Sequence, residues 1–112
     1  MSSRNISLLI EDIIEAGQKI LVYTEGLSFE EFTNDSKTVD AVVRNFEIIG
    51  EAVNRIPEDF KEQHLDIDWY RIRGFRNRIV HEYFGIDYSI VWLIKDSFLP
   101  HLLSKLYTLN SQ

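Results

Sequence analysis

Val39, Val42, Val43, Phe46, Ile49, Ala52, Val53 and Ile56 recur at helical spacing through one unbroken stretch that ends at Pro57. That rhythm fits a turn of 3.6 residues and does not fit the two-residue alternation of a half-buried strand. It therefore predicts a long amphipathic helix stopped by the proline. Ile6, Leu9, Ile10, Ile13, Ile14, Ile20 and Leu21 trace a similar stripe, which predicts a helix from about Ser3 to Tyr23. Two such faces must cover each other, so the chain is constrained to a helical fold from the start.

Local signals divide the remainder. Gly26 follows the first helix, and Ser28-Phe-Glu-Glu31 has the form of a capping box opening a short helix. Asn34, Asp35 and Ser36 form a turn and cap cluster ahead of the second stripe. Glu58–His64 reads as a short helical turn, and Asp66-Ile67-Asp68 as a linker whose Asp68 caps a third long helix. That helix is expected to run to Phe84-Gly85, where glycine supplies a left-handed C-cap. Asp87 caps a last helix, with Ile86 and Val91 spaced as a hydrophobic staple, and Pro100 is expected to kink it. The expected architecture is all-α: one domain over residues 1–112, an up-and-down bundle of four long helices plus short connecting helices.

Composition narrows the chemistry. The chain has no cysteine, so disulfides and thiolate catalysis are out, which agrees with a cytoplasmic setting. Acidic residues interrupt the apolar N-terminal run, so it reads as neither a signal peptide nor a membrane span. A net charge of −6 opposes indiscriminate binding to nucleic acid. The charge is unevenly spread, however. Residues 1–68 hold 15 Asp and Glu against 6 Lys and Arg, whereas residues 69–112 hold 3 against 6. Four arginines, Arg71, Arg73, Arg76 and Arg78, fall between Trp69 and Glu82 with a single acid. Such a focused patch can draw a phosphate to one place on an acidic body.

Other familiar sites lack their parts. The five glycines, at 17, 26, 50, 74 and 85, form no phosphate loop, and His64, His81 and His101 have no zinc-type spacing. His64 and His101 read as structural. What remains is Arg76-Asn-Arg-Ile-Val-His-Glu-Tyr83, with Arg73 and Gly74 just before it. On a continuous helix, Arg73, Asn77 and His81 stack on one face, Arg76 and Tyr83 share the next, and Ile72, Phe75 and Ile79 form the buried stripe. Asn77 beneath His81 would then orient the imidazole. Gly74 in a helix interior costs roughly 1 kcal/mol relative to alanine, which suggests close approach by another backbone, such as a second copy of this helix.

Histidine is suited to moving protons near neutral pH, and arginine forks match phosphate oxygens. Cleavage of RNA by its own 2′-hydroxyl uses only such parts: a base, an acid and a cation for the charged phosphorane. One histidine per chain covers one proton transfer, and a twofold dimer covers both. No metal or cofactor is called for.

The string RNRIVHEY resembles the R-x4-6-H motif of HEPN domains, in the extended R-x4-H-x-Y form of the HepT-like branch. The likeness extends through RNFEIIGEAVNRIP, DWYRIRGFRNRIVHEYFGIDYSIVW and the Leu99-Pro100 pair, so it spans Arg44 to Pro100. It implies a dimeric helical-bundle toxin acting as a metal-independent endoribonuclease at its dimer interface. Arg76 and His81 would be catalytic and Asn77 supporting, with Arg71, Arg73 and Arg78 holding RNA or a partner. The resemblance also implies an antitoxin, a minimal nucleotidyltransferase that transfers AMP from ATP to Tyr83. The alternative is a non-catalytic dimeric module whose arginines bind a nucleotide or such a nucleotidyltransferase.

Overall fold

Asn5 opens the first helix, α1 (Ile6–Thr24), by accepting the Ser7 N–H on its side chain. The structure is a computed structural model that describes residues 5–81 and 85–111, with the backbone alone at Arg76 and His81. Ser28 and Glu31 complete the expected capping box at α2 (Phe29–Thr33). Asp35 accepts the Thr38 N–H at the start of α3 (Ser36–Arg55), which ends ahead of Pro57. All eight apolar residues of the stripe from Val39 to Ile56 are buried. α3 lies along α1, which makes that pair the centre of an all-α bundle.

After the short α4 (Glu58–Glu62), the linker is held in place rather than loose. Ile67 is buried, and the Trp69 indole N–H donates to the His64 carbonyl at 3.0 Å. Phe60 packs against both the His64 and Trp69 rings, at 4.5 and 6.5 Å, which gives His64 the structural role expected of it. Asp68 caps α5 (Trp69–Arg73) through the Arg71 N–H. A turn at Gly74 joins this to α6 (Phe75–Ile79), and both helices rest on α3.

The third long helix differs from expectation here. It is broken at Gly74 and stops at Ile79, well before Phe84-Gly85. Val80–His81 forms β1, which pairs antiparallel with β2 (Gly85–Ile86) in the register Val80 to Ile86 and His81 to Gly85. The Asp87 N–H continues this ladder to the Ile79 carbonyl at 2.6 Å. The physical reasons lie in adjacent residues. Ile79, Val80 and Ile86 are β-branched and favour extended backbone. Gly85 adopts φ +74°, open to glycine and costly for other residues, so it serves a strand rather than a helix cap. Pairing also satisfies backbone groups that the end of α6 leaves without helical partners.

Asp87 caps α7 (Tyr88–Leu93) as expected, with Val91 buried and Ile86 packed on the core. The disruption expected at Pro100 takes the form of a π turn at Ile94–Phe98, leading into α8 (Leu99–Asn110). Leu99 N–H reaches back to the Ile94 carbonyl, and this wider turn relieves the crowding that a proline ring imposes on the preceding turn. Among the described residues, no helix is long and apolar enough to cross a membrane.

Within the chain, close approach is needed at Gly17. A Cβ on Gly17 would lie 2.7 Å from Leu103 Cδ2, where α8 crosses α1. A Cβ on Gly74 would meet only the Arg71 and Tyr70 carbonyls, at 3.6 and 3.7 Å, in ordinary contact. Gly17→Ala is therefore expected to be less stable than Gly74→Ala by about 1–3 kcal/mol, the cost of overpacking the buried Leu103. Gly74→Ala, whose backbone is right-handed (φ −83°), should be neutral or gain about 0.4–1 kcal/mol. Urea unfolding of both variants checks the pair, and equal losses would contradict this packing.

Candidate functional site

Trp69, Ile72, Phe75 and Ile79 are buried, so the opposite side of α5 and α6 is left to solvent. Tyr70, Arg73 and Asn77 follow one another along that outer side at helical spacing, with Arg71 and Arg78 beside them. Together with Gly74 and Asp68 they line a groove of about 640 Å³. The sequence reading placed Arg73 beside Asn77, and the groove brings them together with Arg71 and Arg78. His81 does not continue their stack, because it stands in β1, opposite Gly85 and beyond the end of α6. Asn77 thus cannot sit one helical turn beneath it. Arg76 lies in α6 directly ahead of Asn77. Tyr83 lies outside the described residues, so its expected place beside Arg76 on a helix face has no counterpart among them.

Two arginines of the groove are held by partners of which only Asp68 is near in sequence. Arg73 Nη2 donates to Glu58 Oε1 at 2.9 Å, from α5 to α4. The same carboxylate meets the ammonium of Lys61, a lysine only 4% exposed, at 3.4 Å. Arg71 lies 3.6 Å from Asp68 and places its guanidinium 5.2 Å from the Phe98 ring centre. Phe98 in turn meets Phe75 edge-to-face at 5.5 Å, and Phe75 meets Phe46 in the same manner at 5.5 Å. The charged rim is thus tied to the centre of the core by a chain of rings.

The two sides of this rim carry opposite charge. The 640 Å³ groove has three arginines against Asp68. An adjoining groove of about 490 Å³ shares Asp68, Tyr70 and Arg73 but adds Glu58, Glu62 and Asp66 against Lys61. An anion is therefore favoured on the first and repelled along the second. Among the described residues, no three His, Asp or Glu side chains converge where a metal ion could be held. Glu58, Lys61, Tyr70 and Phe98 are the residues that sequence reasoning missed. The Glu58–Arg73 pair spans 15 positions, so helical spacing gave no cue to it.

The Glu58 carboxyl is held below its ordinary value by the hydrogen bond from Arg73, reinforced by the charge of Lys61. Asp35 is lowered by the Thr38 hydroxyl and Glu31 by the Ser28 backbone N–H. A carboxyl lowered in the folded state contributes stability that is complete above its unfolded pKa and is lost as pH falls through the folded value. The chain should therefore lose stability progressively below about pH 4.5, the ordinary glutamate value. Glu58→Gln should make that acid-side slope shallower in thermal unfolding at a series of pH values. An unchanged slope would remove Glu58 from the account.

The HepT-like profile, described as "Ribonuclease HepT-like", matches residues 13–109. A protein of Thermococcus cleftensis named "Probable ribonuclease HepT" is 42% identical over 96 residues, covering 86% of this chain and 87% of its own. The protein MJ0127 of Methanocaldococcus jannaschii, provisionally named an RNase, is 37% identical over 101 residues, covering 90% and 84%. The similarly named TTE0752 of Caldanaerobacter subterraneus subsp. tengcongensis is 41% identical over 83 residues, covering 74% of each chain. No solved structure matches the chain. Profile and relatives agree over most of the chain, and the chain belongs to the HepT-like ribonuclease family.

Proposed function

We propose that the protein is a metal-independent endoribonuclease, acting as a dimer in the cytoplasm, and the toxin of a toxin–antitoxin pair. The observation that carries this reading is the arginine-lined groove on α5 and α6, which leads along the chain into Arg76 and His81 within a family of ribonuclease-named relatives. Arg71, Arg73 and Arg78 hold RNA phosphates. At the scissile phosphate a 2′-hydroxyl attacks phosphorus, a histidine takes its proton, and the bond to the 5′ oxygen breaks as a second histidine protonates that oxygen. The products are a 2′,3′-cyclic phosphate and a 5′-hydroxyl. Arg76 stabilises the charged phosphorane, and Asn77 supports the phosphate from the groove. His81 from each of two chains supplies the acid and the base. DNA lacks the attacking hydroxyl and is not cleaved.

The antitoxin in this reading is a nucleotidyltransferase that transfers AMP from ATP to the Tyr83 hydroxyl with release of pyrophosphate. The added phosphate repels RNA and the nucleotide fills the approach to His81. Gly74 faces the second copy. If so, Gly74→Ala weakens the dimer while leaving the monomer's stability intact. The competing reading is a docking module, favoured by the carboxylates that already accompany Arg71 and Arg73. Induced expression separates the two. A ribonuclease toxin halts growth, and His81→Ala relieves the arrest while the protein still folds. Arrest that persists in a folded His81→Ala variant would contradict catalysis.

A further inference from the structure

Tyr70 is 85% exposed, more than the other large apolar side chains among the described residues. Its place is unusual as well as its exposure, for it lines both the basic groove and the acidic one. It also precedes Arg73 on the outer side of α5, with Asn77 beyond the Gly74 turn on α6. An aromatic ring left in water gains by stacking on another flat surface, and guanidinium groups beside it attract phosphate. Proteins that grip single-stranded nucleic acid combine these two elements, a positive track for the backbone and a ring for the bases.

We propose that Tyr70 is a nucleobase platform, stacking one unpaired base of a single-stranded RNA whose phosphates lie on Arg71, Arg73 and Arg78. This rests on the ribonuclease reading and adds to it a site that selects and positions the strand. The acidic groove on the far side of Tyr70 repels phosphate, so the strand leaves the ring toward Asn77 and Arg78. The ring acts on substrate position and takes no part in proton transfer. A duplex hides its base faces, so the platform favours loops and unpaired segments.

The test is binding of short oligoribonucleotides that carry 2′-O-methyl groups and so resist cleavage. The intact wild-type protein is compared with Tyr70→Ala, Tyr70→Phe and Tyr70→Trp. Tyr70→Ala should weaken binding about 5- to 150-fold, the range for loss of one base–aromatic stack, whereas Phe and Trp should retain it. An oligonucleotide made abasic at one position should lose a similar factor with wild type and little more with Tyr70→Ala. Salt dependence should be the same for wild type and Tyr70→Ala, and shallower for Arg78→Ala, because only the arginine contacts release counterions.

The platform is overturned if Tyr70→Ala binds like wild type, or if abasic and Tyr70 losses multiply at every position. It is also overturned if wild type binds none of the oligonucleotides. Loss of the dimer in Tyr70→Ala would overturn it too, by making the ring a contact between protein chains. Cleavage of total RNA is measured alongside. Cleavage with unaltered Tyr70→Ala binding removes the platform and leaves the ribonuclease. Tyr70-dependent binding without cleavage removes the ribonuclease and leaves the platform.

Discussion

Replacing His81 with alanine should lower RNA cleavage by about 10²–10⁴-fold, the usual contribution of a positioned general acid or base. Arg76→Ala should cost about 10²–10³-fold, because it removes charge stabilisation that matters most at the phosphorane. In both variants the fold should survive. His81 belongs to a two-residue strand at the end of α6, and Arg76 follows the buried anchor Phe75 rather than replacing it. The informative comparison is with Arg78→Ala. A groove arginine that only holds phosphate should raise KM more than it lowers kcat, whereas His81→Ala should act on kcat. Cleavage that persists within threefold of wild type in a folded His81→Ala variant would transfer the chemistry elsewhere.

Phe75→Ala should lower stability by about 3–5 kcal/mol. The ring is fully buried and meets Phe46 on α3 and Phe98 in the π turn, each at 5.5 Å and nearly perpendicular. Its removal leaves a cavity between three elements and loosens the ring that lies beneath Arg71. For a domain of this size the melting temperature should fall by about 10 °C or more. Tyr70→Ala, five residues away but in solvent, should leave it within about 2 °C, since exposed substitutions stay within about ±0.5 kcal/mol. Thermal unfolding of both variants tests the assignment of one face to the core and the other to solvent. A Phe75→Ala variant as stable as wild type would refute that assignment.

The two long stripes were legible because a 3.6-residue period sustained over five turns has no competing explanation. The caps at Ser28, Asp35, Asp68 and Asp87 were legible because each is a bond between residues three apart. The end of α6 was not. Arg76-Asn-Arg-Ile-Val-His81 fits a helix as well as it fits a turn into a strand, and the choice is made by Gly85 and Ile86 pairing back on it. Tertiary pairing prevailed over the local period. The same limit explains the glycines: Gly17 looks unremarkable in sequence, and only the crossing of α8 shows why a side chain would not fit there.

At the site, the arginine patch was visible as composition and the Arg73–Asn77 relation as spacing. The partners Glu58 and Phe98 come from other elements and were invisible to both. Tyr70 gives no cue in sequence, because an aromatic at helical spacing normally belongs to a core. Its exposure is a property of where the helix sits in the bundle. The four-residue step from Asn77 to His81 suggested a helix stack, yet the residues are carried by different kinds of backbone.

The central claim is tested most directly by the ends of the cleaved RNA. Purified protein, shown by intact mass to carry no AMP, is incubated with total cellular RNA in excess chelator, beside Arg76→Ala and His81→Ala. The account predicts fragments ending in 2′,3′-cyclic phosphate with 5′-hydroxyl partners, lost in both variants. Fragments ending in 3′-hydroxyl, or intact RNA after incubation with demonstrably unmodified dimer, would contradict it.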